Sequence, residues 1–301
     1  MATAAVSVPV LLSPVLAGCS TSAESDRGPV VSGQPADTKA KGVGAEGRQN
    51  TERTPSAEPR TPEEFLARAK DAMSGQKGWT FAVKGDEGLV YQGTQNTATY
   101  TATVRRTQSP MALHSTGTTY TKGVAKPEEV YVADGTGYVR KGGAGSQWKS
   151  GPLSDPGIAN AVEDPVADLD AFQTYARDRP SGTGVSVDTS AGQVQLRVSI
   201  ASAALPTVRN RAVVKKAVRE LTPTLDQLHA AGVTATEDRI TVERVEEVLV
   251  LDPATYRIRS HRFRCTFLIP YRGQSMRYGQ DVTERTEGVF TGVITRPTGV
   301  E

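Results

Sequence analysis

Residues 239–269 read RITVERVEEVLVLDPATYRIRSHRFRCTFLI. Two runs rich in Val, Ile, Phe and Thr flank Asp252-Pro253-Ala254-Thr255, whose residue types favour a turn over any regular element. In the second run Phe263, Cys265, Phe267 and Ile269 recur at every second position, the period of one strand face. Neighbouring strands joined by so short a turn pair antiparallel. Two further runs, 275–285 and 289–295, continue the pattern, so four antiparallel strands are expected to close the chain.

The same reading extends toward the amino terminus. Residues 206–231 have helical periodicity, interrupted or kinked at Pro223. Residues 184–189 and 193–200 form a hairpin, with Leu196, Val198 and Ile200 on one face. Asp164-Pro165 opens a helix carrying Val166, Leu169, Phe172 and Tyr175. Before it, 129–133 and 137–140 flank Asp134-Gly135-Thr136, a hairpin turn of permissive residues. Strands are also expected at 79–83, 89–92, 97–106 and 111–119, and Trp148 ends this meander. Thr61-Pro62-Glu63-Glu64 has the residue types of a capping box with proline in the first turn. Phe65, Leu66, Ala69, Ala72 and Met73 follow on one helical face, and Gly75 and Gly78 close that helix. Roughly ten strands without strand–helix–strand alternation make an α+β fold with one large antiparallel sheet. A sheet of that size curls, and helices packed on its concave face bury the apolar sides.

The amino terminus has a different character. Residues 2–18 read ATAAVSVPVLLSPVLAG, an uncharged run too short and too proline-broken to span a bilayer as a helix. It matches the apolar region of a secretory signal and ends in Leu16-Ala17-Gly18-Cys19. That tetrapeptide resembles the lipobox of bacterial lipoproteins: small residues admit the signal peptidase, and the Cys19 thiol takes a diacylglyceryl group. Two acyl chains anchor durably where one would be marginal. Residues 1–18 lack the Lys or Arg with which such signals begin, so the natural start is expected elsewhere. Residues 20–60 contain no aromatic residue and no Leu, Ile or Met. Such a segment buries too little apolar surface to offset chain entropy and is expected to be a disordered tether. As a flexible coil, about 41 residues reach roughly 35 Å root-mean-square. The expected organisation is a signal peptide at 1–19, a tether at 20–60 and a folded domain at 61–301.

Several pieces of that domain together resemble the LolA/LppX-like lipoproteins of actinobacteria. They are the opening helix at 62–73 leading into Trp79-Thr80-Phe81; Glu129-Val130-Tyr131-Val132-Ala133-Asp134-Gly135 with Gly137-Tyr138-Val139 and Trp148-Lys149; Asp164-Pro165 before Leu169 and Phe172; and Leu249-Val250-Leu251-Asp252-Pro253-Ala254-Thr255-Tyr256. The resemblance implies a half-open β-barrel with helices on its concave face, and an apolar space between the two that holds lipid or acyl chains. Phe81, Val130, Val132, Leu196, Val198, Phe263 and Phe267 are the candidate lining, although an ordinary core needs the same residues. Each methylene kept from water contributes about 0.8 kcal/mol, so an acyl chain needs such an enclosure to cross water.

Other functions find less support. With 35 Lys and Arg against 33 Asp and Glu, the net charge of +2 offers no basic face for nucleic acid. Arg257, Arg259, Arg262 and Arg264 read as the solvated side of a strand, with Glu243, Glu246 and Glu247 as nearby counter-charges. Lipidation of Cys19 would leave Cys265 unpaired, and among Phe263, Phe267 and Ile269 it reads as a buried structural thiol. His114, His229 and His261 do not stand at metal-ligand spacing from another His, Cys or acidic residue, so no metal is expected. There is no Gly-x-Ser-x-Gly elbow, and Gly142-Gly143-Ala144-Gly145-Ser146 lacks the Lys and helix of a phosphate loop. Glu246 and Glu247 fall on opposite strand faces, which suits them poorly to concerted acid–base work. The expectation is therefore a monomeric non-enzyme without a cofactor, anchored at the outer face of the cell membrane and binding a hydrophobic ligand. The alternative is a membrane-tethered interaction or sensing domain with a filled core.

Overall fold

Four dipeptides set the architecture. Gln92-Gly93, Lys122-Gly123, Asp134-Gly135 and Arg272-Gly273 each hold both residues at positive φ, between 48° and 79°. Positive φ at both central positions is the type I′ hairpin turn, whose twist matches that of the strands it joins. In the computed structural model, which describes residues 58–177, 184–190 and 192–300, these turns join β1 (Gly78–Tyr91) to β2 (Thr94–Gln108), β3 (Met111–Thr121) to β4 (Val124–Ala133), β4 to β5 (Thr136–Lys141), and β11 (Ile258–Tyr271) to β12 (Gln274–Val289). The expected signal peptide at 1–19, Cys19, and the tether as far as residue 57 lie outside the described residues.

The remaining strands are β6 (Lys149–Pro152), β7 (Ser186–Asp188), β8 (Val194–Ile200), β9 (Ala203–Ala204) and β10 (Thr241–Leu251). All pair antiparallel in one 12-stranded sheet of order β6-β5-β4-β3-β2-β1-β12-β11-β10-β8-β7, with β9 against β10. The two halves of the chain meet where β1 pairs β12, from Trp79 opposite Val289 to Val90 opposite Arg277. The sheet is open and curved, and its edges are the short strands β6 and β7.

Among the described residues five α-helices accompany it: α1 (Pro62–Ser74), α2 (Pro156–Ala159), α3 (Asp168–Arg177), α4 (Leu205–Val208) and α5 (Ala212–Ala230). The capping box of α1 forms as expected, with the Thr61 side chain accepting from the Glu64 N–H and the Glu64 carboxylate accepting from the Thr61 N–H. Phe65, Leu66, Ala69 and Met73 of α1, Leu169 and Phe172 of α3, and Val214, Ala217, Leu221 and Leu228 of α5 are buried against Phe81, Leu196, Leu249 and Phe267 of the sheet. Burying each of the larger side chains stabilises by about 1.5–3 kcal/mol. The Trp79 indole N–H donates to the Met73 carbonyl at 3.0 Å and fixes the end of α1 on β1.

Several boundaries differ from expectation. Residues 79–83 and 89–91 belong to the single strand β1, Gln92 lies in the turn after it, and β6 follows Trp148. No strand forms at 290–300, so the run at 289–295 contributes only Val289, at the end of β12. Asp164 opens a turn rather than the helix, its Oδ1 accepting from the N–H groups of Val166 and Ala167, and α3 begins at Asp168. Residues 206–231 divide at 209–211, not at Pro223, which lies inside α5. Proline cannot donate to the carbonyl four residues earlier. Here that carbonyl, of Arg219, accepts instead from the Asn160 side-chain amide at 3.2 Å.

Candidate functional site

Three adjacent strands each place one ionisable side chain among inward-facing apolar ones. Glu247 lies between Val245 and Leu249 on β10, His261 stands two residues before Phe263 on β11, and Glu284 follows Val282 on β12. All three are buried. His261 is directly opposite Glu284 in the ladder, whereas Glu247 is opposite Phe263 and meets His261 diagonally. The His261 Nε2 is 2.8 Å from Glu247 Oε1, and Nδ1 is 2.5 Å from Glu284 Oε2.

The helices complete the cluster from above. Asp168, the first residue of α3, brings Oδ2 to 3.2 Å from His261 Nδ1. Tyr175, two turns on, donates its hydroxyl to Glu247 at 2.9 Å. From α5, Lys216 Nζ reaches Asp168 Oδ1 at 2.9 Å and Glu247 Oε1 at 2.8 Å, with the ammonium 5.0 Å from the centre of the Phe263 ring. Glu284 Oε1 has no hydrogen-bond partner.

Burial disfavours every charge here, and the neighbours decide which charges survive. Burial is outweighed for Lys216 by Asp168 and Glu247, and for His261 by Asp168, Glu284 and Glu247, which hold both groups well above their ordinary values and hence cationic. For Glu247, burial is outweighed by Lys216 and then His261, which bring its pKa down to about 2. Glu284 goes the other way: burial raises its pKa despite His261. Burial and the charge of Glu284 also push Glu163 well above the carboxylate range.

This cluster is one end of a cavity of about 320 Å3 between the sheet and the helices. Met111, Leu113, Val132, Val162, Phe263 and Val282 give it an apolar wall, while Asp168, Lys216, His261 and Glu163 give it a charged one. Of the seven residues proposed as lining, Val132 and Phe263 are in this wall. Phe81, Leu196, Val198 and Phe267 pack instead in the main core, and Val130 packs in a smaller cluster with Val139, Ile158 and Ala161. These side chains are covered by helices or neighbouring strands, so they serve packing rather than this cavity.

Elsewhere the charges pair locally. Arg262 and Arg264 both reach Asp281, and Arg259 reaches Asp252. Glu246 turns away from Glu247 toward Arg197 and Arg244. Cys265 is fully buried, and burial pushes its thiol up, which makes a poor nucleophile. The ionisable cluster has a signal in sequence parity: Glu247, His261 and Glu284 share their faces with Val245, Phe263 and Val282. Local spacing of ligands along the chain does not reveal it.

No protein-family model and no curated protein matches the chain. Among solved structures, a DUF1329 family protein from Desulfovibrio piger aligns over 77% of this chain and 96% of its own, at 8% identity and a TM-score of 0.32. A β-barrel-like protein of domain of unknown function DUF1849 from Brucella abortus aligns over 71% and 100%, at 8% identity and a TM-score of 0.25. The ywiB protein from Bacillus subtilis aligns over 71% and 95%, at 7% identity and a TM-score of 0.22.

Proposed function

We propose that the folded domain is a non-catalytic binding module of the bacterial cell envelope, similar in type to LolA/LppX-like lipoproteins. It is tethered to the outer face of the membrane by a diacylglyceryl group on Cys19 and takes an acyl chain or another hydrophobic ligand between helices and sheet. The observation that carries this reading is the cavity of about 320 Å3 with its apolar wall of Leu113, Val132, Phe263 and Val282. Its volume lies at the lower end of the roughly 300–1,000 Å3 common for ligand pockets. That size suits one short apolar segment with a polar end. A longer chain requires α3 and α5 to move off the sheet. No described helix is long and apolar enough to cross a membrane, and attachment through Cys19 needs none.

The test is titration of the full chain with a fluorescent fatty acid, beside mass spectrometry of lipid that copurifies with it. Saturable one-to-one binding is expected. Val132→Trp, which fills the cavity, should weaken it at least tenfold, as the loss of about 1.4 kcal/mol requires. Val124→Trp, at an exposed position, should leave it unchanged. Absence of both saturable binding and copurified lipid would overturn the proposal.

A further inference from the structure

We propose that Asp168, His261 and Glu284 form a binding site for one divalent metal ion of the zinc type, at the charged end of the cavity. One ligand atom from each of Asp168, His261 and Glu284 lies within 4.8 Å of the other two. They come from α3, β11 and β12, three elements fixed independently by the core. One imidazole with two carboxylates is a donor set that suits zinc. Donors about 2.0–2.1 Å from a tetrahedral ion stand roughly 3.3 Å apart. Nδ1 and Asp168 Oδ2 are already 3.2 Å apart. Nδ1 and Glu284 Oε2, at 2.5 Å, need to open by less than an ångström, which a rotation of the Glu284 carboxylate supplies.

Two further observations point to an ion rather than to a cluster complete in itself. Glu284 is fully buried, yet its Oε1 has no partner, an arrangement that a buried carboxylate rarely tolerates. The second ring nitrogen of His261 faces Glu247 at 2.8 Å. This is the carboxylate–histidine pairing that orients a metal-bound imidazole. Lys216 and Tyr175 hold Glu247 in turn. A bound dication would take the place of the positive charge that a doubly protonated His261 otherwise supplies. The ion replaces the proton on Nδ1, which leaves to solvent. Asp168 and His261 also line the cavity, which gives the ion a path inward. The site rests on the chain's own side chains, whatever ligand the cavity takes.

The test uses the full chain, stripped with chelator and titrated with zinc alone against a chromophoric competitor. One ion per chain is expected. Asp168→Asn and Glu284→Gln should each weaken binding by more than the roughly 10–100-fold that loss of an outer partner costs. Glu247→Gln should fall within that range, and Glu129→Gln, beside the half-buried His114 on β3, should leave binding intact. Should the buried variants fail to fold, histidine-ring NMR of the unaltered chain decides: zinc should shift the Nδ1 signal of one ring and leave the other two. No saturable binding, binding that survives Glu284→Gln in a folded variant, or zinc shifts on His114 or His229 instead of His261 would overturn the proposal.

Discussion

Lys216→Met tests whether the charged cluster holds the helices to the sheet. Methionine keeps most of the apolar stem that runs beside Phe263 and removes only the ammonium. The lost partner leaves Glu247, whose side chain is wholly buried, and Asp168, 17% exposed, without their shared cation. Removing one member of a buried ion pair costs about 3–5 kcal/mol. Since Lys216 is itself 19% exposed and water can approach Asp168 through the cavity, the lower end applies, about 3 kcal/mol. With a urea slope of about 3 kcal/mol/M, the unfolding midpoint should fall by roughly 1 M. The melting temperature should fall by about 6–12 °C, taking 2–4 °C per kcal/mol. The assay is urea unfolding followed by tryptophan fluorescence, in chelator so that no bound ion contributes. Combining Lys216→Met with Glu247→Leu should cost less than the two single changes added, because adjacent members of a network couple by about 0.5–3 kcal/mol. A midpoint within about 0.2 M of the unaltered protein, or strict additivity in the double variant, would refute the reasoning.

Three further predictions concern other parts of the chain. Cys19→Ala should release the protein from membranes in fractionation while residues 61–301 stay folded by circular dichroism; a variant still in the membrane fraction would contradict the anchor. Asp252 is held at about 2 by hydrogen bonds from Arg259, then Thr255 and Ala254, below an unfolded value near 3.9. A depressed folded pKa stabilises above the unfolded value and loses that contribution as pH falls through the folded one. The stability gap between the protein and Asp252→Asn should therefore shrink between about pH 4 and 2, and a gap that stays constant there would exclude this role. A Cβ on Gly137 would stand 2.3 Å from Ile158 Cγ2 and 3.3 Å from Leu153 Cδ2. Gly137→Ala should cost about 1–3 kcal/mol by overpacking, most of it recovered in the Ile158→Ala background, as read by thermal unfolding.

Strand parity and turn chemistry made the sheet legible in the sequence. Phe263, Cys265, Phe267 and Ile269 recur on one face because β11 is covered on one side, and Asp134-Gly135 marks the hairpin between β4 and β5. Lys122-Gly123 and Arg272-Gly273 form the same turn with a long basic side chain in the first place, a less familiar pairing whose backbone is identical. The end of β12 was obscured because 289–295 keeps apolar residues with no partner strand beside them. The helix through Pro223 was obscured for another reason: the side chain that satisfies its open carbonyl comes from Asn160, 59 residues away. The charged cluster was the least legible part. A period of two shows that Glu247, His261 and Glu284 point inward. That they meet depends on the registers of β10, β11 and β12, and that Lys216 joins them depends on how α5 lies across the sheet.

The contact between Asn160 and α5 ties backbone to cavity. Asn160 lines the pocket and at the same time completes the hydrogen bonding that Pro223 leaves open in the helix. A molecule that turns this amide toward itself takes it from the Arg219 carbonyl, at about 0.5–1.5 kcal/mol for one such bond. Occupancy of the pocket therefore bears on α5 at a single backbone group, and the proline that looks like an interruption in the sequence is what makes that group depend on a side chain of the cavity wall.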